Sequence, residues 1–457
     1  MAQHMTTAAL ESLEIEVRAL LESDNLEGVR KLLNKQQPPD IADVLDRLES
    51  KDRARVFELL TLDQAAEALH EMGTETIRKV FADMPKEKVG DLLDLMAMDD
   101  AAEILTQDVP ERQQELLTEM QPADAAEVRD LLKYPAQSAG RLMTEKFVRI
   151  RPEMTVEETI AHLRKVDPEV ETLTDLYVLN PEKQLIGVVS LREVITAPSE
   201  RRLQDIMTTQ LVTVPPEMDR EEVARLVSRY DFLAIPVVAP DKAMLGIITV
   251  DDIIHVLVEE QTEDAMKFAA VEGGMINQPY FTISIRKVIR TRIGWLLLLF
   301  LAETLTGSVL RVFEAELEAV VALSFFIPLL IGTGGNTGAQ TVSTIIRGIA
   351  LKDIRLQDSW RVIRRELGSG LLIGLLLGIV AFLRTVLWGS DLRFCLVIAL
   401  TILVICTWAN TVGSIIPLVA QRLKIDPAVV SAPLITTLVD ATGLAIYMLI
   451  AKAILGI

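Results

Sequence analysis

The sequence has few of the residues that build disulfide scaffolds, zinc sites or protease centres. Its 457 residues include two cysteines, Cys395 and Cys406, and both lie in long apolar segments. This placement argues against a disulfide framework and against a structural zinc site. The four histidines lie outside those segments, and neither an HExxH nor a GxGD motif occurs. Because these are the signatures of zinc and aspartyl intramembrane proteases, we expect a protein that is not an enzyme.

Positive charge is scarce in the part of the chain that precedes the apolar segments. Residues 1–280 carry 55 acidic and 30 basic side chains, whereas residues 281–457 carry 10 acidic and 16 basic ones. A nucleic-acid-binding protein needs a basic surface, so the acidic excess argues against a nucleic-acid partner. It favours multivalent cations, although an acidic surface also serves solubility. No signal peptide precedes the polar N-terminus, and we expect residues 1–280 to be cytoplasmic.

Residues 40–133 contain a weak repeat with a step of about 12 residues, within an N-terminal domain that we place at 1–135. Segments such as LTLDQAAEALHEM and QPADAAEVRDLL start with Thr, Asp or Pro and continue with apolar residues at helical spacing. This pattern is typical of short capped helices. One such helix cannot bury its own apolar stripe, so the repeat predicts a superhelical all-α domain, which also suits a plain scaffold.

A second repeat follows. Met143-Thr144 recurs as Met207-Thr208, and the tripeptide PEM recurs at the same distance of 64 residues. Each copy continues with a helical stretch, a strand-like run, a turn and a second strand that leads into a helix. This layout resembles a tandem pair of CBS domains, which are modules that bind nucleotides or form dimers. We place the two domains at 136–200 and 201–259.

The remaining chain predicts a connecting helix and a membrane domain. The connecting helix is placed at 253–275. Residues 281–457 form the membrane domain, because they hold five apolar runs that each supply the ~20 residues needed to cross a bilayer. The fold class is therefore multidomain α and α/β with a polytopic α-helical membrane domain. The five spans are placed near 291–311, 318–345, 367–389, 394–419 and 428–451.

Basic residues set the expected orientation of these spans. Lys and Arg cluster before the first span and after the second, and a smaller pair follows the fourth. By the positive-inside bias these positions are cytoplasmic. We therefore expect an integral protein of the cytoplasmic membrane, with its N-terminal domains inside and its C-terminus outside.

Asp440 lies near the middle of the last span. A carboxylate at the bilayer centre costs roughly 2.5–3.5 kcal/mol on insertion scales, so it should face water, a partner charge or an ion. Thr436, Thr437 and Thr442 could add oxygen ligands to the same lining. The alternative is an aspartate that is hydrogen-bonded between helices.

Two other features of the spans suggest a pore. The run IPLLIGTGGNTGAQ at 327–340 contains helix breakers, which are tolerated where backbone lines a cavity or where another helix packs closely. Glu303 is a second acid without an obvious basic partner, either on the pore side or protonated and bonded locally. Magnesium suits such a site because it keeps several waters and uses one or two carboxylates. A two-fold dimer would bring two copies of Asp440 to one axis.

With the GTGGNTG run at 332–338 and TLVDATGL at 437–444, the chain resembles MgtE magnesium channels over nearly its whole length. The resemblance implies a homodimer in which Asp440 binds the permeating Mg²⁺, with Thr436, Asn336 and Glu303 as further lining candidates. It also implies that intracellular Mg²⁺ binds acids shared by the cytoplasmic domains and the connecting helix. The matching positions are Asp99, Glu103, Asp219, Glu221, Asp231, Asp252, Glu260, Glu263, Asp264 and Asp426.

The sequence departs from the family pattern at two places. His255 stands where another acid is expected, and Ala432 replaces the asparagine of an SNPL motif. Some family members bind ATP between their CBS domains, which here would involve Ser190, Glu193 and Phe232. The motif around Ser190 and Glu193 also occurs in CBS domains that bind nothing.

The interpretation is a magnesium channel or transporter that closes when Mg²⁺ is plentiful. Acidic faces would repel one another without Mg²⁺, and bound Mg²⁺ would bridge them so that the connecting helix blocks the pore. The nearest alternative is a secondary transporter that couples a divalent cation to protons or sodium, with Glu303 as the coupling acid. A nucleotide-sensing scaffold would not need a buried acid such as Asp440.

Overall fold

The computed structural model describes residues 7–106, 109–166, 170–271, 280 and 283–457. The described residues up to Glu260 belong to one compact unit, and residues 261–271 and 284–457 belong to a second. The boundary between the two units falls within a single helix, so the chain passes from one to the other without a loop.

The first unit begins with a superhelical array of short helices, as the repeat predicts. Thr61 caps one of them with a full capping box to Gln64, and Pro38, Pro110 and Pro122 each open a helix at its first turn. Helices pack against second neighbours in the chain, which buries each apolar stripe. The helices are α1 (Thr7–Glu22), α2 (Leu26–Leu33), α3 (Pro38–Arg47), α4 (Ser50–Phe57), α5 (Leu62–Glu71), α6 (Thr74–Asp83), α7 (Lys86–Leu95), α8 (Met98–Thr106), α9 (Pro110–Glu119) and α10 (Pro122–Leu131).

The two α/β modules follow the array, and they share one plan. In the first module β1 pairs with β2 in parallel, and β2 pairs with β3 antiparallel. In the second module β4 pairs antiparallel with β5, and the strand equivalent to β1 is reduced to a parallel bridge between Val214 and Val237. The first module contains α11 (Ala139–Leu142), β1 (Phe147–Ile150), α12 (Val156–Leu163), β2 (Thr172–Leu179), β3 (Leu185–Ser190) and α13 (Leu191–Thr196). The second contains α14 (Arg220–Tyr230), β4 (Ala234–Val238), β5 (Met244–Thr249) and the start of α15 (Val250–Phe268).

The helical array and the second module share a hydrophobic core. One continuous cluster of buried apolar side chains includes Leu93 and Leu105 of the array together with Val223, Ile248 and Val256 of the second module. The first module has a separate small core around Val178 and Val189.

The second unit contains, among its described residues, five helices that are long and apolar enough to span a membrane. The predicted number of five spans is therefore confirmed. The helices of the first and fourth spans extend beyond both predicted ends, whereas those of the second and fifth start later than predicted and that of the third ends two residues earlier. The helices of this unit are α16 (Ile285–Val312), α17 (Glu314–Ala319), α18 (Ile327–Ala350), α19 (Ser359–Leu387), α20 (Leu392–Arg422) and α21 (Ala432–Leu455). Of these, only α17 is too short to span a membrane.

Glycines set the closest contact in this unit. A Cβ added at Gly370, Gly374 or Gly378 of α19 would lie 3.0 Å or less from a backbone carbonyl oxygen of α20. Larger residues would force the two helices apart, so these glycines allow backbone-to-backbone packing. α18, α20 and α21 pack against one another, and α16 packs against α21.

Candidate functional site

Asp440 is the ninth residue of α21, and it lies in the interior of this span. Its side chain is half-buried, and its Oδ1 atom is buried without a hydrogen-bond partner among the described residues. Thr436 lies one turn earlier on the same face, and its hydroxyl donates to the carbonyl oxygen of Pro433 at 2.8 Å. That bond leaves the lone pairs of the Thr436 hydroxyl available to a ligand. The arrangement therefore offers oxygen acceptors and no donor, which suits a cation.

The glycine-rich run forms an unbroken part of α18 that packs directly against α21. A Cβ at Gly335 would lie 3.2 Å from Cγ2 of Thr436 and 3.5 Å from Oδ1 of Asp440. A Cβ at Gly338 would lie 3.0 Å from Cγ2 of Ile435. Of the two explanations for the helix breakers, close packing therefore applies along this face. Gly335 brings the α18 backbone beside the carboxylate of Asp440.

The other two predicted pore residues are less closely tied to Asp440. Glu303 is an exposed side chain of α16, and its charge is near enough to act on Asp440. Asn336 is exposed on α18, about 100° round the helix from Gly335. Thr442 does not have a free hydroxyl, because it accepts a hydrogen bond from Nε1 of Trp408 at 2.8 Å and donates to Leu438.

A buried polar network, which the sequence interpretation missed, joins three of the spans. Asn410 of α20 is 2% exposed, and its Oδ1 accepts from the Thr341 hydroxyl of α18 at 2.9 Å. Its Nδ2 donates to Ser369 Oγ at 2.9 Å and to Glu366 Oε2 at 3.3 Å, both on α19. The presence of Ser369 and Asn410 in apolar runs is the signal that could have revealed it. Since every group is paired, the network fixes the helices rather than offering a site.

In the first unit, acids converge around Asp99 of α8 and Asp252 of α15. Asp99 is 8% exposed, and its Oδ1 has no hydrogen-bond partner in the described part of the chain. Burial, followed by the charges of Asp252 and Asp100, raises the pKa of Asp99 well above its usual range. Burial and the charge of Asp100 likewise raise the pKa of Asp252 to about 7, although its Oδ2 accepts a hydrogen bond from Thr249 at 3.0 Å. Asp99 and Asp252, two of the predicted regulatory residues, thus lie close together, although burial and neighbouring acids make their charged forms unfavourable.

The structure adds three groups to this acid cluster that the sequence interpretation did not select. Asp100 follows Asp99 in α8, and the charge of Glu171 also acts on Asp99. His70 Nδ1 lies 2.6 Å from Asp100 Oδ2, and this hydrogen bond raises the pKa of His70 to about 9. The His70 ring also meets the ring of His255 edge-on at 5.7 Å. A protonated His70 therefore supplies positive charge beside the acids.

Glu103 and Glu260 lie near a second group, which is centred on Arg220 of α14. Arg220 has an 11% exposed side chain and binds Glu259 and Glu260, both at 3.1 Å. Burial, followed by the charge of Glu259, raises the pKa of Glu103, whereas the charge of Arg220 opposes this rise. Arg220 thus already neutralises part of this group.

The three predicted acids of α14 are not brought together within one chain. Asp219 caps the start of this helix by accepting from the Glu221 backbone N–H at 2.9 Å, and Glu221 itself pairs with Arg225. Asp231 ends the helix in the left-handed conformation, with φ of 54°. Eleven residues separate the two ends by about 16 Å, so the two ends cannot ligate one ion.

The remaining predicted acids lie near the end of α15 and, in the case of Asp426, in the loop before α21. Lys267 Nζ lies 2.7 Å from Glu263 Oε1 and 2.8 Å from Asp426 Oδ2. Asp264 is half-buried on the next position after Glu263. The helix ends at Phe268, and residues 272–275 of the predicted connecting helix lie outside the described residues.

No group of three or more His, Cys, Asp or Glu side chains is already arranged to hold a metal ion within the ranges that the structure describes. The donor chemistry nevertheless fits magnesium, because the unpaired oxygens of Asp99 and Asp440 are carboxylate oxygens.

The predicted nucleotide-binding residues make local structural contacts. Ser190 caps α13, and Glu193 Oε2 accepts from both the backbone N–H and the hydroxyl of Ser190 at 2.9 Å. Thr249 and Asp252 form the equivalent hydroxyl–carboxylate contact in the second module. Phe232 stacks on Tyr230 with ring centroids 5.4 Å apart. The shared motif thus caps a helix in the first module and forms the same hydroxyl–carboxylate bond in the second.

Comparisons with known proteins match every part of this architecture. Three family descriptions fit the chain, namely the MgtE intracellular N domain at 36–137, the CBS domain at 139–200 and 203–259, and the MgtE divalent cation transporter at 327–450. The magnesium transporter MgtE of Thermus thermophilus is 37% identical over 97% of this chain and 99% of its own. The magnesium transporter MgtE of Bacillus subtilis is 35% identical over 99% of both chains.

Solved structures are similar to the part of the chain that precedes the spans. A crystal structure of the cytosolic domain of the Mg²⁺ channel MgtE in complex with ATP covers 53% of this chain, with 34% identity and a TM-score of 0.51. Because relatives at this identity match nearly end to end, and because the three family descriptions cover the array, the paired modules and most of the membrane unit in turn, the chain belongs to the MgtE family.

Proposed function

We propose that this protein carries Mg²⁺ across the cytoplasmic membrane as a homodimer, with Asp440 as the ligand of the permeating ion. The observation that carries the proposal is the bare Oδ1 of Asp440, which lies in the interior of a membrane span beside Gly335. An unpaired carboxylate is costly at that depth, and a divalent cation offsets the cost. The names of the two full-length relatives support magnesium as the cargo.

The chemistry of magnesium explains why one acid per chain suffices. Mg²⁺ dehydrates reluctantly, so a site for permeation should hold the ion through its waters rather than enclose it. Two copies of Asp440 on a two-fold axis, with the Thr436 hydroxyls and backbone carbonyls, would supply charge and hydrogen-bond acceptors to a hydrated ion. Such a site binds strongly enough to select and weakly enough to release.

Closure by intracellular Mg²⁺ is the regulatory part of the proposal. The raised pKa values of Asp99, Glu103 and Asp252 indicate that burial and like charges leave their packed arrangement short of positive charge, even with His70 and Arg220 nearby. Bound Mg²⁺ would supply it and stabilise the packing, and α15 would then block the pore. Moving an equilibrium from 1:99 to 99:1 needs about 5.5 kcal/mol. One site at ten times its dissociation constant gives about 1.4 kcal/mol, so about four sites are required.

The decisive experiment is Mg²⁺ uptake into liposomes that contain the purified full-length protein. The parent should carry Mg²⁺ down its gradient, and Asp440→Asn should reduce the flux by roughly 100-fold or more. The control is Thr385→Val in α19, because this buried hydroxyl donates to the carbonyl oxygens of Ala381 and Phe382 on its own helix and the change should leave the flux unaltered. Parental flux through Asp440→Asn would refute the pore assignment.

A coupled transporter is the second candidate, and the proximity of Glu303 to Asp440 favours it specifically. Protonation of Glu303 would then alternate with cation binding at Asp440. Mg²⁺ flux that follows the magnesium gradient alone, in discrete single-channel steps, would decide for a channel. Flux that stops when the proton or sodium gradient is removed would decide for coupling.

ATP and orientation complete the proposal. The ATP complex of the related cytosolic domain supports a nucleotide site between the CBS modules here, near Ser190, Glu193 and Phe232. Equilibrium dialysis of the full-length protein with ATP tests this site. The five spans and the basic loops support a cytoplasmic N-terminal part and an external C-terminus.

A further inference from the structure

The last turn of α15 contains a cation of its own. Lys267 Nζ bridges Glu263 and Asp426 at 2.7 and 2.8 Å, and these are two of the acids expected to bind regulatory Mg²⁺. The other oxygen of Asp426, Oδ1, accepts the backbone N–H of Ala428 at 2.9 Å. Both oxygens of the Asp426 carboxylate are therefore occupied by donors from this chain.

A second contact fixes the same turn. Phe268 packs against an apolar cluster that includes Val430, Ile435 and Val439, which flank and line the start of α21. Asp440 follows Ile435 by five residues, or about 8 Å along this helix. The end of α15 is thus joined to the segment that leads into the Asp440 span by an ion-pair bridge and by apolar packing.

We propose that Lys267 is a built-in substitute for a divalent ion between Glu263 and Asp426, and that it stabilises the contact of the end of α15 with this segment independently of Mg²⁺. The inference rests on the proposed closure by α15. It excludes the Glu263–Asp426 pair from magnesium sensing, because this pair is filled by an ammonium group that cannot diffuse away.

Charge and tethering explain why the ammonium group would prevail. A lysine four residues after Glu263 lies on the same face of the helix, so its effective concentration at the pair is high. A Mg²⁺ ion would have to displace this group and also surrender waters, which it does reluctantly. Without the ammonium group, Glu263 and Asp426 would face each other as like charges and would become a divalent-cation site.

Lys267→Met tests this inference, because methionine keeps much of the length and apolar stem and removes the charge. In liposomes with micromolar internal Mg²⁺, flux through this variant should exceed the parental flux roughly three- to tenfold, since two half-exposed ion pairs are lost. At millimolar Mg²⁺ the variant should close, because the vacated carboxylates can bind the ion. Its flux should therefore depend more steeply on Mg²⁺ than the parental flux does.

Two variants serve as controls. Lys267→Arg keeps the charge and should behave like the parent. Lys424→Met removes the same charge from an exposed position two residues before Asp426, and it should also leave the flux unchanged. The combination of Lys267→Asp with Asp426→Lys should bring the flux at micromolar Mg²⁺ back toward the parental value, because it recreates the ion pair between positions 267 and 426 with the charges exchanged.

Hydrogen exchange separates this inference from the proposed function. In EDTA, amides of residues 261–268 should exchange faster in Lys267→Met than in the parent, whether or not the protein responds to magnesium. Equal exchange together with equal flux at micromolar Mg²⁺ would overturn the role of Lys267. If the parental flux does not depend on Mg²⁺ while residues 261–268 exchange faster in Lys267→Met, the proposed closure is overturned. The contact made by Lys267 is then still supported.

Discussion

Both units contain carboxylates in poorly solvated surroundings, but the number of neighbouring acids differs. Asp440 lies in the membrane unit, and the Asp99–Asp252 cluster lies in the first unit. Asp440 has the acid Glu303 nearby, and its Oδ1 has no hydrogen-bond donor among the residues that the structure describes. The Asp99–Asp252 cluster has further acids nearby and an adjacent His70 of raised pKa. Asp440 has few acids nearby, so it can bind an ion briefly, and no neighbouring acid can replace it. The acids of the Asp99–Asp252 cluster repel one another, and several bound ions can offset that repulsion. The first arrangement suits passage and the second suits sensing.

This difference predicts that a single change near Asp440 is far more damaging than one in the cluster. Gly335→Val should reduce Mg²⁺ flux by about 100-fold, because even a Cβ would lie 3.2 Å from Thr436 and 3.5 Å from the Asp440 carboxylate. Gly332→Ala on the same helix is the matched control, since a Cβ there meets nothing within 4 Å. Liposome uptake measures both. Equal fluxes would show that α18 does not shape the ion path.

A change in the Asp99–Asp252 cluster should shift the Mg²⁺ concentration at which the flux falls, without abolishing this dependence. Asp252→Asn removes one repelling charge and can still accept the Thr249 hydroxyl that now bonds to Asp252 at 3.0 Å. The packed arrangement should then form at an Mg²⁺ concentration that is lower by roughly tenfold. The flux at micromolar Mg²⁺ should therefore fall. Uptake at graded internal Mg²⁺ measures this. An unchanged dose–response would remove Asp252 from the sensor.

Protonation of Asp252 at lower pH should have part of the effect of Asp252→Asn. Its expected effect on packing is the smallest of the three predicted effects. Asp252 has a pKa of about 7 in the packed state against an ordinary value of 3.8, so packing takes up a proton between these values. The packed state is therefore favoured as the pH falls through 7 and is disfavoured above it, by roughly three- to tenfold between pH 8 and pH 6. His70 stays protonated across this range because its pKa is about 9.

Protease protection of residues 100–265 in magnesium-free buffer measures the pH effect. Protection should increase from pH 8 to pH 6 in the parent and change little in Asp252→Asn. Protection that decreases as the pH falls would contradict the assignment of Asp252 as an acid whose charge opposes packing.

Much of the fold could be predicted because its signals are local. Spans, capped helices and the repeated module are each written within 20 to 60 residues of sequence, and the comparisons match the same order of parts. Asp440 could be selected because an acid in an apolar run is conspicuous. Its role as the ion ligand stays a prediction.

The partners of the predicted residues could not be selected, because they depend on contacts between distant segments. Asp100 pairs with His70 from 30 residues away, and Lys267 meets Asp426 from 159 residues away. Nothing in the sequence around Lys267 indicates its distant partner, because Asp426 lies in another segment of the chain. The Ser190–Glu193 motif fits both a nucleotide site and a helix cap, and only the second contact is local enough to follow from sequence.

The shared hydrophobic core has a consequence for how the first unit assembles. Leu93 and Leu105 of the array belong to the same buried cluster as Val223 and Val256 of the second module, although more than 100 residues separate them. Newly made array helices would therefore expose apolar surface until the ribosome had completed the later module. A fragment that stops after α10 should be prone to aggregation, and a boundary placed after α15 should yield a better-behaved recombinant product.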